Sequence, residues 1–189
     1  MTDTIANSEN IAGAEGCIAV PMEQLRLAME STEEFAKFKG NVSDRHKVFH
    51  FNVEEYDQAD QKEFHDSKAE RVKSSRPLIL LTPDYPNAVQ WQYSGSNGWA
   101  IKSGTIQAVM EKNISDFGKN LTSAAALRFW DVMIGKLLDQ TFYAGWDSGL
   151  IDITRIHTLT LGRSSTKDRA GKGEYLGATF KVDWGVTGQ

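Results

Sequence analysis

An α+β fold, with helices packed on one face of a mostly antiparallel sheet, is what this sequence predicts, and three stretches carry the prediction. Near the C-terminus Leu176, Ala178, Phe180, Val182 and Trp184 alternate with Tyr175, Gly177, Thr179, Lys181 and Asp183, the pattern of a half-buried strand. Between Ser123 and Tyr143, Leu127, Trp130, Ile134, Leu137 and Leu138 fall on one side of a helix that Ser123 can cap, with Gly145 beyond its end. Arg76 to Pro83, reading RPLILLTP, is a nearly continuous apolar run bounded by prolines, as expected of a central strand buried on both faces.

The other elements follow in chain order. Residues 1–17 are polar and glycine-containing, so they are expected to form an N-terminal arm, and residues 18–189 a single domain. Pro21 suits a first helical turn, after which Met22, Leu25, Ala28 and Met29 recur at helical spacing as far as Glu30. Ser31-Thr32-Glu33-Glu34 has the form of a capping box, with the Ser31 oxygen on the Glu34 amide, for a short helix carrying Phe35 and Phe38 and stopped by Gly40. Val48 to Val53 alternates as a strand with Phe49, Phe51 and Val53 inward, and residues 54–73 form a charged insertion. Ala88 to Tyr93 and Trp99 to Glu111 form an antiparallel hairpin, with Ile106, Ala108 and Met110 on one face. Leu150 to Leu161 and Glu174 to Trp184 form a second hairpin, joined by a long loop from Gly162 to Gly173.

A chain of 189 residues, 40% hydrophobic and 24% charged, can build one sizeable core. Its net charge of -4 is unevenly spread: residues 1–70 hold 15 acidic and 7 basic side chains, residues 71–189 hold 10 and 14. Such asymmetry suits head-to-tail contact between copies, and neither half has the form of a nucleic-acid-binding stripe. The single cysteine, Cys17, has no intramolecular disulfide partner, which fits a reducing compartment. No basic segment followed by an apolar run opens the chain, and no stretch approaches the roughly 18 apolar residues of a membrane helix, so cytoplasmic synthesis without a membrane partner is expected.

The candidate chemistry is sparse. His46 and His50, near His65, Asp57, Asp60 and Asp66, raise a metal site, but on a strand the first two stand roughly 13 Å apart. Nothing places Cys17 with His157 as a nucleophile and base, and Gly171-Lys172-Gly173 lacks the spacing of a phosphate loop. No metal, cofactor or catalytic residue is therefore assigned. Trp91, Tyr93 and Trp99 are read as aromatics at the rim of the core, with an interface anchor as the alternative. Arg163, Lys167, Arg169 and Lys172, against Asp168 alone, are the candidate assembly contacts, suited to an acidic surface on a neighbouring subunit.

The layout carried by AVPMEQLRLAMESTEEFAKFKG, RPLILLTP, SGTIQAVMEKN, ALRFWDVMIGKLLDQ and the closing LIDITRIHTLTLGRSS…GEYLGATFKVDWG resembles the tail-terminator or tail-completion proteins of long-tailed bacteriophages. The resemblance covers roughly Ile18 to Gly185 and lies in hydrophobic patterns, Arg163 in the final loop and the terminal Trp184-Gly185. It implies a non-enzymatic structural virion protein, a homo-oligomeric ring with six copies the expected number. Such a ring closes the tail tube against the neck or head connector, with DNA passing only through its lumen. Another neck protein or portal–tail adaptor is the nearest alternative, and a small hydrolase or nucleotide-binding enzyme the alternative from a different class. A pocket of convergent titratable groups would favour the enzyme.

Overall fold

The computed structural model describes residues 19–42, 48–51, 76–84, 87, 89–94, 99–117, 123–149, 151–168 and 171–188. They form helices α1 (Ala19–Glu30), α2 (Glu33–Lys39) and α3 (Ser123–Ser148). The strands are β1 (Phe49–Phe51), β2 (Leu78–Pro83), β3 (Gln90–Ser94), β4 (Trp99–Asn113), β5 (Asp152–Asp168) and β6 (Gly171–Gly188), with a 3-10 turn at Ile114–Phe117. The sheet runs β1-β2-β4-β6-β5, and β3 also pairs with β4. Among the described strands β1 and β2 pair in parallel and the other pairings are antiparallel. One edge of β4 serves two neighbours, β3 along Trp99–Ser103 and β2 along Ile106–Glu111.

Period-two alternation divides the sheet into an apolar and a polar face. Ile106, Ala108 and Met110 of β4 and Leu176, Ala178, Phe180, Val182 and Trp184 of β6 are buried in the core beneath the helices. Their neighbours Thr105, Gln107, Thr179, Lys181 and Asp183 are half-buried and form the face away from the described helices. The α+β arrangement with helices on one side is thus the one expected. β2 is interior in the sheet: on the core face Ile79, Leu81 and Pro83 are buried, and on the other face Leu78 is buried while Leu80 and Thr82 are half-buried.

The helix layer begins with Met22, Leu25, Ala28 and Met29 of α1, all buried. The cap of α2 differs from expectation by one residue: Thr32, not Ser31, accepts from the Phe35 amide at 3.1 Å, and the Glu34 amide bonds Gln140 Oε1 of α3 at 3.0 Å. Ser31 instead donates back to the Ala28 carbonyl at 2.8 Å, closing α1. Phe35 and Phe38 enter the core, and Gly40, at φ 60°, ends the helix in a conformation costly for other residues. Lys112, on the apolar row of β4, is buried and donates to the carbonyls of Lys37 and Phe38, at 3.1 and 2.5 Å. It satisfies carbonyl groups that the end of α2 leaves without helical donors. Burial pushes its ammonium below the ordinary lysine value.

α3 is longer than the apolar stripe indicates, and Gly145 lies inside it, because Ile151 and Ile153 pack against that side. Trp130, Ile134, Leu137 and Leu138 are buried as expected, whereas Leu127, in the first turns of the helix, is 41% exposed. In β1, Val48 just before the strand and Phe49 are both buried, so the chain enters the core one residue earlier than strict alternation requires. The N-terminal arm, Cys17 and the insertion at 54–73 lie outside the described residues.

Candidate functional site

The β5–β6 hairpin carries the cations singled out above, and here the structure corrects the expected loop. Pairing continues from Thr160↔Thr179 to Asp168↔Gly171, so residues 162–168 and 171–173 belong to the strands. On β5 past Leu161, Gly162 and Arg163 are exposed, while across the ladder Leu176 of β6 is still buried in the core. In the sequence apolar alternation stops before Leu176, but backbone pairing continues outward from it. Arg163 sits opposite Leu176 and forms an ion pair with Glu174. Lys167 and Lys172 are register partners further out, and Arg169 lies outside the described residues.

A second polar assembly, on the face away from the described helices, comes from residues that no sequence pattern connects. A depression of about 430 Å³ is lined by Asp84, Thr105, Arg155, His157, Lys181 and Asp183, among others. Asp183 is its centre. Thr105 donates to Asp183 Oδ1 at 2.8 Å, Arg155 Nε to Oδ2 at 2.9 Å, and His157 Nε2 stands 3.2 Å from Oδ1. Beside them Lys181 Nζ meets Asp84 Oδ2 at 2.7 Å, tying the end of β2 to β6 across β4. Burial alone would raise the Asp183 carboxyl; the hydrogen bonds from Thr105, Arg155 and His157 outweigh it and hold the pKa below the ordinary aspartate value.

Two irregularities in β5 bring these groups together. The register slips between Ile153 and Arg155 and again between His157 and Thr160, which leaves Arg155 opposite Asp183 and His157 opposite Lys181. At the second bulge Thr158 adopts φ 56°, unusual for a β-branched residue, and its Oγ1 lies 2.8 Å from His157 Nδ1. An edge strand kinked in this way is a poor template for further strand pairing. The polar alternation of Lys181 and Asp183 was visible in the sequence. The bulges were not, and without them Arg155 and His157 are not placed on the same carboxylate.

Among the described residues no three His, Cys, Asp or Glu side chains gather as a metal site. His46, His65, Asp57, Asp60 and Asp66 lie outside those residues, as does the side chain of His50 in β1. Trp91, Tyr93 and Trp99 belong to the paired strands β3 and β4, with side chains outside the described set. No described helix is long and apolar enough to cross a membrane. Comparison with protein-family models and with curated proteins finds no match to this chain.

Proposed function

We propose that the chain is a structural virion protein of a tailed phage. It closes the tail tube and joins it to the neck or head connector as a homo-oligomeric ring, expected to hold six copies, and works without a cofactor or enzymatic step. The layout resemblance supplies the role. The observation that carries it in the fold is the β5–β6 ladder, which continues beyond the core residue Leu176 to Asp168↔Gly171. A paired hairpin bearing Arg163, Lys167 and Lys172 can reach a neighbour at a lower ordering cost than a loop. The acidic balance of residues 1–70 supplies a complementary surface chemistry on another copy or on the adjoining tail or neck protein. Contacts between unlike surfaces of identical subunits close into a ring when the rotation between copies divides a full turn.

The test is location in the particle. Mass spectrometry and gold-labelled antibody on purified virions should find the chain at the head–tail junction; its absence from particles would remove the reading. A second reading, a small hydrolase, draws on the Asp183–His157–Thr158 chain of contacts. Against it, Arg155 occupies the same carboxylate and Thr158 does not line the depression. Retained hydrolysis of a panel of activated esters by wild type, abolished in Thr158→Ala, is the outcome that would favour it.

A further inference from the structure

We propose that two copies of this chain pair through the outer face of α3, antiparallel and about a dyad. Opposite the buried stripe, Phe129, Val132, Tyr143 and Trp146 are 58, 55, 66 and 70% exposed. With Lys136 and Asp139, also exposed, they recur at alternating intervals of three and four residues, the spacing of a two-helix seam. The seam spans about 25 Å of helix. Two exposed apolar pairs flanking a charged centre along this length mark an interaction surface, and its sequence identifies the occupant.

The row is self-complementary when read in opposite directions. With the dyad midway between Lys136 and Asp139, Phe129 meets Trp146 of a second copy, Val132 meets its Tyr143, and Lys136 meets its Asp139. Each pairing occurs twice, as an isologous contact requires. In a parallel pairing in register, Lys136 would face Lys136 and Asp139 would face Asp139, so the central charges select one orientation. Neither residue has an ion-pair partner among the described residues, which leaves both free for this exchange. Gly135, beside the seam, has nothing within 4 Å of an added Cβ, so no side chain holds a second helix away on that flank.

This contact does not rest on the ring reading, because ring closure uses unlike surfaces and the dyad uses one surface twice. The test is charge reversal on the full chain. Sedimentation velocity on a concentration series up to about 100 µM, where small interfaces become populated, should show the 21.0 kDa subunit giving way to a species of twice its mass. Lys136→Asp and Asp139→Lys should each weaken that step about tenfold or more, and the double variant K136D/D139K should restore it. Circular dichroism should be the same for all three. If larger assemblies obscure the step, Cys17→Ser chains carrying Lys136→Cys and Asp139→Cys should, when mixed and oxidised, cross-link 136 to 139 in preference to either same-site product. A double variant as weak as the singles, no pairing in wild type, or random cross-linking would overturn the proposal.

Discussion

Trp130 Nε1 donates to the Gly177 carbonyl at 3.0 Å, and this bond from α3 to β6 fixes the helix layer on the sheet. The indole is fully buried, with Phe38 tilted against it at 6.1 Å and Phe117 edge-on at 6.1 Å. One side chain thereby joins α2, α3, the 3-10 turn and the central antiparallel pair.

Replacing Trp130 with alanine should therefore cost roughly 3 to 5 kcal/mol, the range for emptying a buried aromatic site. Trp130→Phe keeps part of the volume and should cost less, although it leaves the Gly177 carbonyl without this donor, worth about 1 kcal/mol. Chemical denaturation of both variants checks the order; an unchanged midpoint in Trp130→Ala would contradict the packing described.

Sequence periodicity located this core well because the residues concerned face a helix or sheet on one side only. The rows Ile106–Met110 and Leu176–Trp184 and the buried side of α3 all read directly. Periodicity gave no account of features that depend on irregular or polar geometry. The outer β5–β6 ladder pairs without any apolar alternation in its sequence, and the Asp183 assembly depends on two bulges that only the register reveals. Lys112 was equally hidden, since a lysine in an apolar row has meaning only once the carbonyls of α2 lie above it.

Two glycines of α3 should respond with opposite signs. An alanine Cβ at Gly145 would lie 2.9 Å from the Ile151 carbonyl and 3.3 Å from Ile153 Cδ1, so Gly145→Ala should destabilise by about 1 to 3 kcal/mol. Gly135 has open space around it, and Gly135→Ala should stabilise the subunit by about 0.5 to 1 kcal/mol through helix propensity. Thermal midpoints measured below the association range separate the two.

Acid should act on the Asp183 assembly. Its folded pKa lies below the ordinary aspartate value, so its contribution is complete above that value and is lost as pH falls through the folded pKa. Asp183→Asn should be less stable than wild type at neutral pH, and the gap should narrow below about pH 4. A constant gap across a series of melts would show that the carboxylate charge is not what Arg155, His157 and Thr105 hold.

The hairpin cations should matter to assembly more than to folding. Changing Arg163, Lys167, Arg169 and Lys172 together to serine should shift stability by at most about 1 kcal/mol, since exposed ion pairs contribute little. The same variant should bind its neighbours less well, with the loss greatest at low salt. Normal assembly and full infectivity of particles carrying it would move the contact to the N-terminal arm or the 54–73 insertion.

The most direct test of the structural role is electron microscopy of the purified chain combined with mass photometry. The account predicts annular particles whose mass is a fixed multiple of 21.0 kDa, near six, and which disappear in the hairpin variant. A chain that stays monomeric or dimeric at all accessible concentrations, forms no rings alone or with tail-tube protein, and is missing from virions would contradict it.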